Sequence, residues 1–301
     1  MILTLTPYDD LPAELLAELA AAGLDPRAVH DDTVRALAED VPTVDVTSAA
    51  TIAAGEAATG AFVPREDGVV AGLGLAALVF HLVLGDAVKI TGRVPEGSRV
   101  AAGDPLMTVE GPTRGLLTAE RTALNYACHL SGIATATAAW VDALVGTSAQ
   151  VLDTRKTLPN YRALQKYAVR CGGGHNHRMS LSDRAMVKDN HAIAAGGVVP
   201  AYLAVRAAYP HLRVEVEVTD LGQLRALLEA GCTEVLLDNM STEVMAEAVR
   251  MTAGRATLEA SGGLTLAHAR EVAETGVDLI SVGALTHSVD VFDIGFDLVM
   301  P

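Results

Sequence analysis

The chain has 301 residues and a mass of 31.2 kDa, with 22 Lys+Arg against 37 Asp+Glu and a formal net charge of −15. That acidity argues against a nucleic-acid or anionic-membrane binder, which needs clustered positive charge to displace counterions. Hydrophobic residues make up 50% of the chain and mean hydropathy is +0.31, so a sizeable core is expected and disorder is not.

The opening MILTLTPYDDLPAELL has no basic segment ahead of an apolar stretch, so no secretory signal is expected. Helices are predicted over 11–23 and 30–40, followed by strand-like pieces near 61–71 and 87–110. The run 68–85 carries no formal charge, but its four glycines and His81 favour a buried segment over a membrane span. Within it, Gly72-Leu73-Gly74 lacks the strand–loop–helix setting of a dinucleotide site. This α+β region is expected to end near residue 115, giving an N-terminal domain 1–115, a catalytic domain 116–288, and a tail 289–301 that can pack back on the first. Thr118, with Glu120 behind it, is expected to cap a helix running through ERTALNYACHL.

Farther on, VEVEV (214–218), EVLLD (234–238), ATLEA (256–260) and DLISV (278–282) begin 20, 22 and 22 residues apart. Helical stretches between them close at Gly231, Gly254 and Gly276, where glycine can take the left-handed cap conformation. This rhythm predicts βα units with a parallel sheet, and QVLDT (150–154) and AMVKD (185–189) read as two earlier strands. Cys128, Cys171 and Cys232 are odd in number and widely spaced, so neither a disulfide framework nor a cysteine zinc site is expected, and a reducing cytoplasm is the simplest compartment.

Charge is unevenly distributed. Residues 153–191 hold eight Lys/Arg and three acids, a +5 island in a remainder of −20, and three of the four lysines lie there. A run of this kind can be a solvated face, but its glycines and the Asn176-His177-Arg178 triplet favour a polyanion pocket. In a parallel barrel the reacting groups gather at the carboxyl ends of the strands. Those ends here read DTRK (153–156), KDNH (188–191), EVEV (215–218), LDN (237–239), ASGG (260–263) and VGA (282–284). Alternation in VEVEV turns the valines to the helices and Glu215 and Glu217 inward, with Asp238 inward on the next strand. Such carboxylates need cations, a metal or bound hydroxyls, and a Mg²⁺–phosphate site or structural ion pairing would each serve. The Ser261-Gly262-Gly263 turn before TLAHAREVAETG can cradle a phosphate or be a plain tight turn. Lys188 could form a Schiff base in an aldolase, but neighbouring arginines and paired acids favour polyphosphate handling. His175 and His191 remain open between site and structural roles, and Cys171 reads as a buried thiol rather than a nucleophile.

Taken in order, TAERTALN (118–125), SGIAT (131–135), DTRKTLP (153–159), KYAVRCGGGHNHR (166–178), KDNH (188–191), EVEV (215–218), LLDN (236–239), ASGGL (260–264) and VGALTHS (282–288) resemble the quinolinate phosphoribosyltransferases. The resemblance implies an α/β fold, an N-terminal open-faced α/β sandwich followed by an incomplete parallel α/β barrel. It implies transfer of phosphoribose from phosphoribosyl pyrophosphate to quinolinate with loss of CO₂, giving nicotinate mononucleotide for NAD synthesis. By the same resemblance, Arg155, His177 and Arg178 would grip the quinolinate carboxylates, with Arg121 reaching in from a neighbouring subunit of a homodimer or larger assembly of dimers. Lys156 and Lys188 would face phosphates and the dianion, Glu217 and Asp238 would hold Mg²⁺ and ribose hydroxyls, and Ser261, Gly262, Gly263 and Gly283 would cradle the 5′-phosphate. Residues 39–47, EDVPTVDVT, depart from the glycine-bearing pattern expected there. Two rivals are a paralogue acting on another pyridine and a non-catalytic phosphosugar-binding barrel.

Overall fold

The structure, a computed structural model, describes residues 4–299 and divides into two compact units. One takes in residues up to Thr135, Ala163–Gly172 and the C-terminal segment from Val289; the other takes in Ala136–Arg162 and Gly173–Ser288.

In the first unit, α1 (Ala13–Ala21) is followed by α2 (Pro26–Asp40) and α3 (Val46–Thr51). Helix α2 begins four residues before the expected 30, because the Asp25 carboxylate accepts the Arg27 and Ala28 amides and Pro26 fits the first turn. Asp45 caps α3 through the Ser48 amide at 3.0 Å. The glycine-free segment 39–47 therefore holds the end of α2, a short connection and the capped start of α3 rather than a glycine loop. Strands β1 (Ala57–Pro64) and β2 (Gly68–Val69) lead into α4 (Leu73–Leu84). The uncharged run 68–85 is thus divided between a strand and a helix with nine buried residues. No single helix among the described residues is long and apolar enough to cross a membrane. The α4 N-terminus is filled from within, since the Glu96 carboxylate accepts the Gly72 and Gly74 amides at 2.7 and 2.8 Å. That carboxylate occupies the place a dinucleotide phosphate would need.

Strands β3 (Lys89–Thr91), β4 (Arg99–Val100) and β5 (Met107–Pro112) follow; β1 pairs antiparallel with β5, and β5 with β3. The next helix, α5 (Thr113–Ala143), corrects the Thr118 cap. It contains no proline and starts five residues earlier, so Thr118 lies within its second turn. The Thr118 hydroxyl approaches the Arg114 carbonyl at 2.8 Å and the Asp45 carboxylate at 3.1 Å. Residue 115 falls inside this continuous helix, whose first part, through Thr135, belongs to the first unit.

The second unit contains the repeated βα pattern. Its strands and helices run β6 (Gln150–Leu152), α6 (Arg162–Cys171, mostly in the first unit), β7 (Ala185–Val187), α7 (Asp189–Ala195), α8 (Val198–Ala208), β8 (Val214–Val218), α9 (Leu221–Glu229), β9 (Glu234–Asp238), α10 (Thr242–Thr252), β10 (Thr257–Ser261), α11 (Ala269–Glu274), β11 (Leu279–Ser281) and α12 (Ala284–His287). All six strands are parallel in the order β6-β11-β10-β9-β8-β7, and Leu152 makes one further parallel bridge to His175. No pairing joins that bridge to β7 among the described residues, so the barrel is incomplete there. Gly231, Gly254 and Gly276 all have positive φ just beyond their helices, as the sequence pattern requires.

The chain then returns to the first unit, where β12 (Ile294–Val299) pairs antiparallel with β1 and completes the sheet β12-β1-β5-β3. Phe62 and Phe80 meet edge to face at 5.9 Å, and Phe296 of β12 meets both at 5.6 and 5.9 Å. Gly60 makes this possible, because a Cβ there would lie 2.0 Å from the Phe296 ring. Aromatic contacts of this kind are each worth about 0.5–1.5 kcal/mol beyond burial. The fold is the expected one, an α/β sandwich followed by an incomplete parallel barrel.

Candidate active site

Alternation along β8 separates two surfaces. Val214, Val216 and Val218 are buried, and β8 packs against α8 and α9, whereas Glu215 and Glu217 take the opposite, inner face. Parallel register then sets Asp238 of β9 beside Ser261 of β10, so the carboxyl ends of successive strands open on one cavity of about 640 Å³. That size suits small-molecule ligands. Its wall includes Arg155, Lys156, His177, Arg178, Lys188, Glu217, Asp238, Ser261, Gly262, Gly263 and Gly283. Arg121 is placed elsewhere, exposed on α5 in the first unit.

The basic wall is built by two loops. After β6, Asp153 is fully buried and accepts the His177 amide at 2.9 Å and the Asn176 side-chain amide at 2.6 Å, tying the DTRK loop to the HNHR loop. Arg155 and Arg178 follow on these two tethered segments. Arg178 is steadied by a 3.0 Å hydrogen bond from Nη1 to the Arg184 carbonyl. Burial, and then the neighbouring Arg155 charge, hold the Arg178 guanidinium below its ordinary pKa. The Arg155 Nε is buried without a hydrogen-bond partner. A buried donor left unbonded costs about 1–3 kcal/mol, and an anion in the cavity would relieve it.

Across the cavity, Lys188 Nζ donates to Glu217 Oε2 at 2.9 Å, and Asn239 Nδ2 donates to Asp238 Oδ2 at 2.9 Å. Glu217 and Asp238 offer oxygen donors only, the chemistry that suits a hard cation completing its shell with water and phosphate oxygens. Gly262 has φ +95°, and a Cβ there would lie 2.4 Å from Asn239 Oδ1, so the turn needs glycine to bring its backbone against β9. The helix expected directly after this turn starts later, with a 3₁₀ turn at Leu266–His268 and α11 only from Ala269. Thr265 Oγ1 and His268 Nδ1, 2.9 Å apart, hold that tight turn. The backbone amides near the cavity are therefore those of the loop itself.

His177 lies deeper than its neighbours. Its Nε2 is 2.9 Å from Glu215 Oε2 and 3.5 Å from Glu259 Oε2, and all three side chains are at least 96% buried. Glu215 also meets Arg184 at 3.2 Å, Arg184 meets Glu234 at 2.5 Å, and Arg213 meets Glu234 at 2.5 Å. Burial opposes charge on the imidazole, yet the two glutamates outweigh it and push its pKa up to about 9. The Arg178 amide acts the other way, donating to Nδ1 at 2.7 Å, a bond that a protonated Nδ1 could not accept. This bond fixes the tautomer, with Nε2–H toward the carboxyls and the extra proton held among Nε2 and the carboxyl oxygens. Burial raises Glu215 in the same sense. The ring thus spends both nitrogens inside the protein, although its face lines the cavity.

Glu259 was missed in the sequence, although ATLEA offered the same signal as VEVEV, an acid alternating with apolar residues on a barrel strand. His191 accepts the Lys188 amide on Nδ1 at 3.0 Å, and His175 continues the sheet; neither lines the cavity. Cys171 is half-buried, and burial pushes its thiol up to about 12, far from a nucleophile's range.

Family models for the quinolinate phosphoribosyl transferase N-terminal and C-terminal domains match residues 45–131 and 133–297. The chain belongs to the quinolinate phosphoribosyltransferase family. It is 54% identical over 276 residues to the carboxylating nicotinate-nucleotide pyrophosphorylase of Mycobacterium leprae, covering 90% of this chain and 97% of that one. A probable enzyme of the same name from Bacillus subtilis is 37% identical over 87% of this chain and 90% of its own length. Among solved structures, the nicotinate-nucleotide pyrophosphorylase of Francisella tularensis superposes with a TM-score of 0.87 at 37% identity, covering 91% of this chain and 96% of that one. Quinolinate phosphoribosyltransferase membership spans both units, so the N-terminal sandwich is as much part of the likeness as the barrel.

Proposed function

We propose that this chain transfers phosphoribose from phosphoribosyl pyrophosphate to quinolinate with loss of CO₂, giving nicotinate mononucleotide and pyrophosphate in NAD synthesis. The observation that supports it most is the convergence of Arg155, with its unbonded Nε, and Arg178 on one cavity that also holds Lys156 and Lys188. Two guanidinium forks on tethered loops suit the adjacent carboxylates of a planar dianion. Lys156, beside Gly283, and the Ser261-Gly262-Gly263 loop would take the phosphates. His177 would act on quinolinate mainly by holding the Arg178 backbone in place.

Departure of pyrophosphate leaves oxocarbenium character on the ribose, as in other glycosyl transfers. Lys156 and Lys188 would stabilise the leaving charge, while Glu217 and Asp238 would hold the ribose hydroxyls and a Mg²⁺ ion. That ion, when bound, supplies charge neutralisation at the pyrophosphate. Attack by the pyridine nitrogen makes the ring a cationic electron sink, into which the 2-carboxylate bond can release its electrons. Fewer cation contacts to that leaving carboxylate than to its neighbour would favour its release. Incubation with quinolinate, phosphoribosyl pyrophosphate and Mg²⁺ should yield CO₂ and nicotinate mononucleotide; turnover of nicotinate in place of quinolinate would overturn the substrate assignment.

The same reading makes the protein a cytoplasmic homodimer, or an assembly of dimers, in which exposed Arg121 enters the partner's site. Mixing inactive Arg121→Ala and Lys156→Ala subunits should then restore part of the activity, because one composite site would be intact. No recovery despite demonstrated subunit exchange would remove Arg121 from that role.

A further inference from the structure

The two cavity lysines are held differently. Lys188 is paired with Glu217 at 2.9 Å, whereas exposed Lys156 forms no ion pair among the described residues. A flexible four-carbon stem does not fix its own ammonium, so the backbone beneath it has to. We propose that Thr286 does this, as a positioning residue that holds Lys156 ready for the departing pyrophosphate. This rests on the phosphoribosyl-transfer reading above.

Thr286 lies in α12, is 2% exposed, and is not part of the cavity wall, although Ala284 and His287 of the same helix are. Its hydroxyl has one proton and two carbonyls in reach. A threonine in a helical turn ordinarily gives that proton to a carbonyl three or four residues back, here Gly283 at 3.3 Å. The Lys156 carbonyl, 130 residues away in the chain, lies nearer at 2.7 Å and takes it. On its other side, the Lys156 amide donates to Thr154 Oγ1 at 3.0 Å. Both polar groups of the Lys156 backbone are thus tied down. Its stem then crosses Gly283, where a Cβ would lie 2.9 Å from Lys156 Cδ. The turn into α12 therefore fixes Lys156 twice, through its carbonyl and under its stem. Pairing of β6 with β11 carries only as far as the Val282 amide, which donates to the Leu152 carbonyl at 2.9 Å. Thr286 continues that connection past the strand ends, where the DTRK loop leaves the sheet. Arg155 is anchored separately, since Asp153 binds the HNHR loop.

Pyrophosphate gains negative charge as it departs, and a cation contributes most when it already stands where that charge grows. Without the Thr286 hydroxyl the Lys156 carbonyl loses its donor, and the ammonium moves with the loop. A misplacement of about 1 Å can cost about 100-fold in rate. Quinolinate, gripped from the Asp153 side of the loop, should be bound almost as before.

Thr286→Val keeps the shape of the side chain and removes the hydroxyl. In single turnover with enzyme in excess it should release pyrophosphate about tenfold or more slowly than wild type, with quinolinate affinity by calorimetry within about threefold. Thr286→Ser should recover most of the rate, because the donor returns. In a Lys156→Ala background, Thr286→Val should slow release by less than about twofold further, since the residue it acts through is gone. Equal slowing in both backgrounds would make Thr286 a packing residue and overturn the proposal. An undiminished rate in Thr286→Val, or a loss of quinolinate affinity as large as the loss of rate, would overturn it too. Should the valine variant not fold, Thr286→Ala carries the same comparison. Titration of inorganic pyrophosphate with Mg²⁺ needs no quinolinate: Thr286→Val should weaken it about threefold or more, and unchanged binding would count against the proposal. Failure of the wild type to act on quinolinate would instead sink the activity assignment and leave this last measurement to decide on Thr286.

Discussion

Arg155→Ala is expected to weaken quinolinate binding by about 100-fold or more while phosphoribosyl pyrophosphate binding falls by less than about tenfold. Charge-assisted hydrogen bonds contribute about 1.5–3 kcal/mol each, and each 1.4 kcal/mol is about a factor of ten, so losing one fork suffices for the larger figure. The protein itself should lose little stability, because Arg155 Nε makes no internal hydrogen bond to be broken. Removing the side chain even relieves repulsion on Arg178, whose guanidinium is depressed by burial and then by the Arg155 charge. Arg155→Lys should restore only part of the affinity, since an ammonium keeps the charge without the planar fork. Isothermal titration with each substrate separately decides the point. Equal losses for both ligands would take Arg155 off the carboxylates.

Why this site could be read from sequence at all follows from the barrel. VEVEV and EVLLD occupy the predicted strand residues, because period-two alternation and the 20-residue spacing encode both the strand and its helix-facing side. Eleven of the twelve quoted site residues consequently line one cavity: strand-end residues of a parallel barrel have nowhere else to gather. Arg121 is the exception, because its role would depend on a second subunit, which no local pattern encodes. Thr118 looked like a cap since Thr followed by Glu is a common start signal. No proline interrupts residues 113–143, Gly115 is tolerated, and α5 runs through. The tautomer of His177 was likewise beyond reach, for it depends on the Arg178 amide bending back onto Nδ1.

The two inward glutamates of β8 should separate cleanly when each is replaced. Glu215→Ala is expected to destabilise the protein by about 3–5 kcal/mol, the usual cost of breaking a buried ion pair by removing one partner. Its side chain is 1% exposed and faces both His177 and Arg184, whose side chains are 4% and 11% exposed. Without it, Arg184 leans wholly on Glu234, and the imidazole loses its closer carboxyl. Glu217→Gln, two residues along the same face, should change stability by no more than about 1 kcal/mol, because its partner Lys188 is 49% exposed and water already screens the pair. Turnover should fall steeply nonetheless, since the proposed ribose and Mg²⁺ contacts require a carboxylate there. Urea unfolding midpoints together with turnover under saturating Mg²⁺ measure both halves. A Glu217→Gln protein as unstable as Glu215→Ala would mean that depth in the barrel does not divide structural from ligand-binding carboxylates. Full activity in Glu217→Gln would remove that residue from the site.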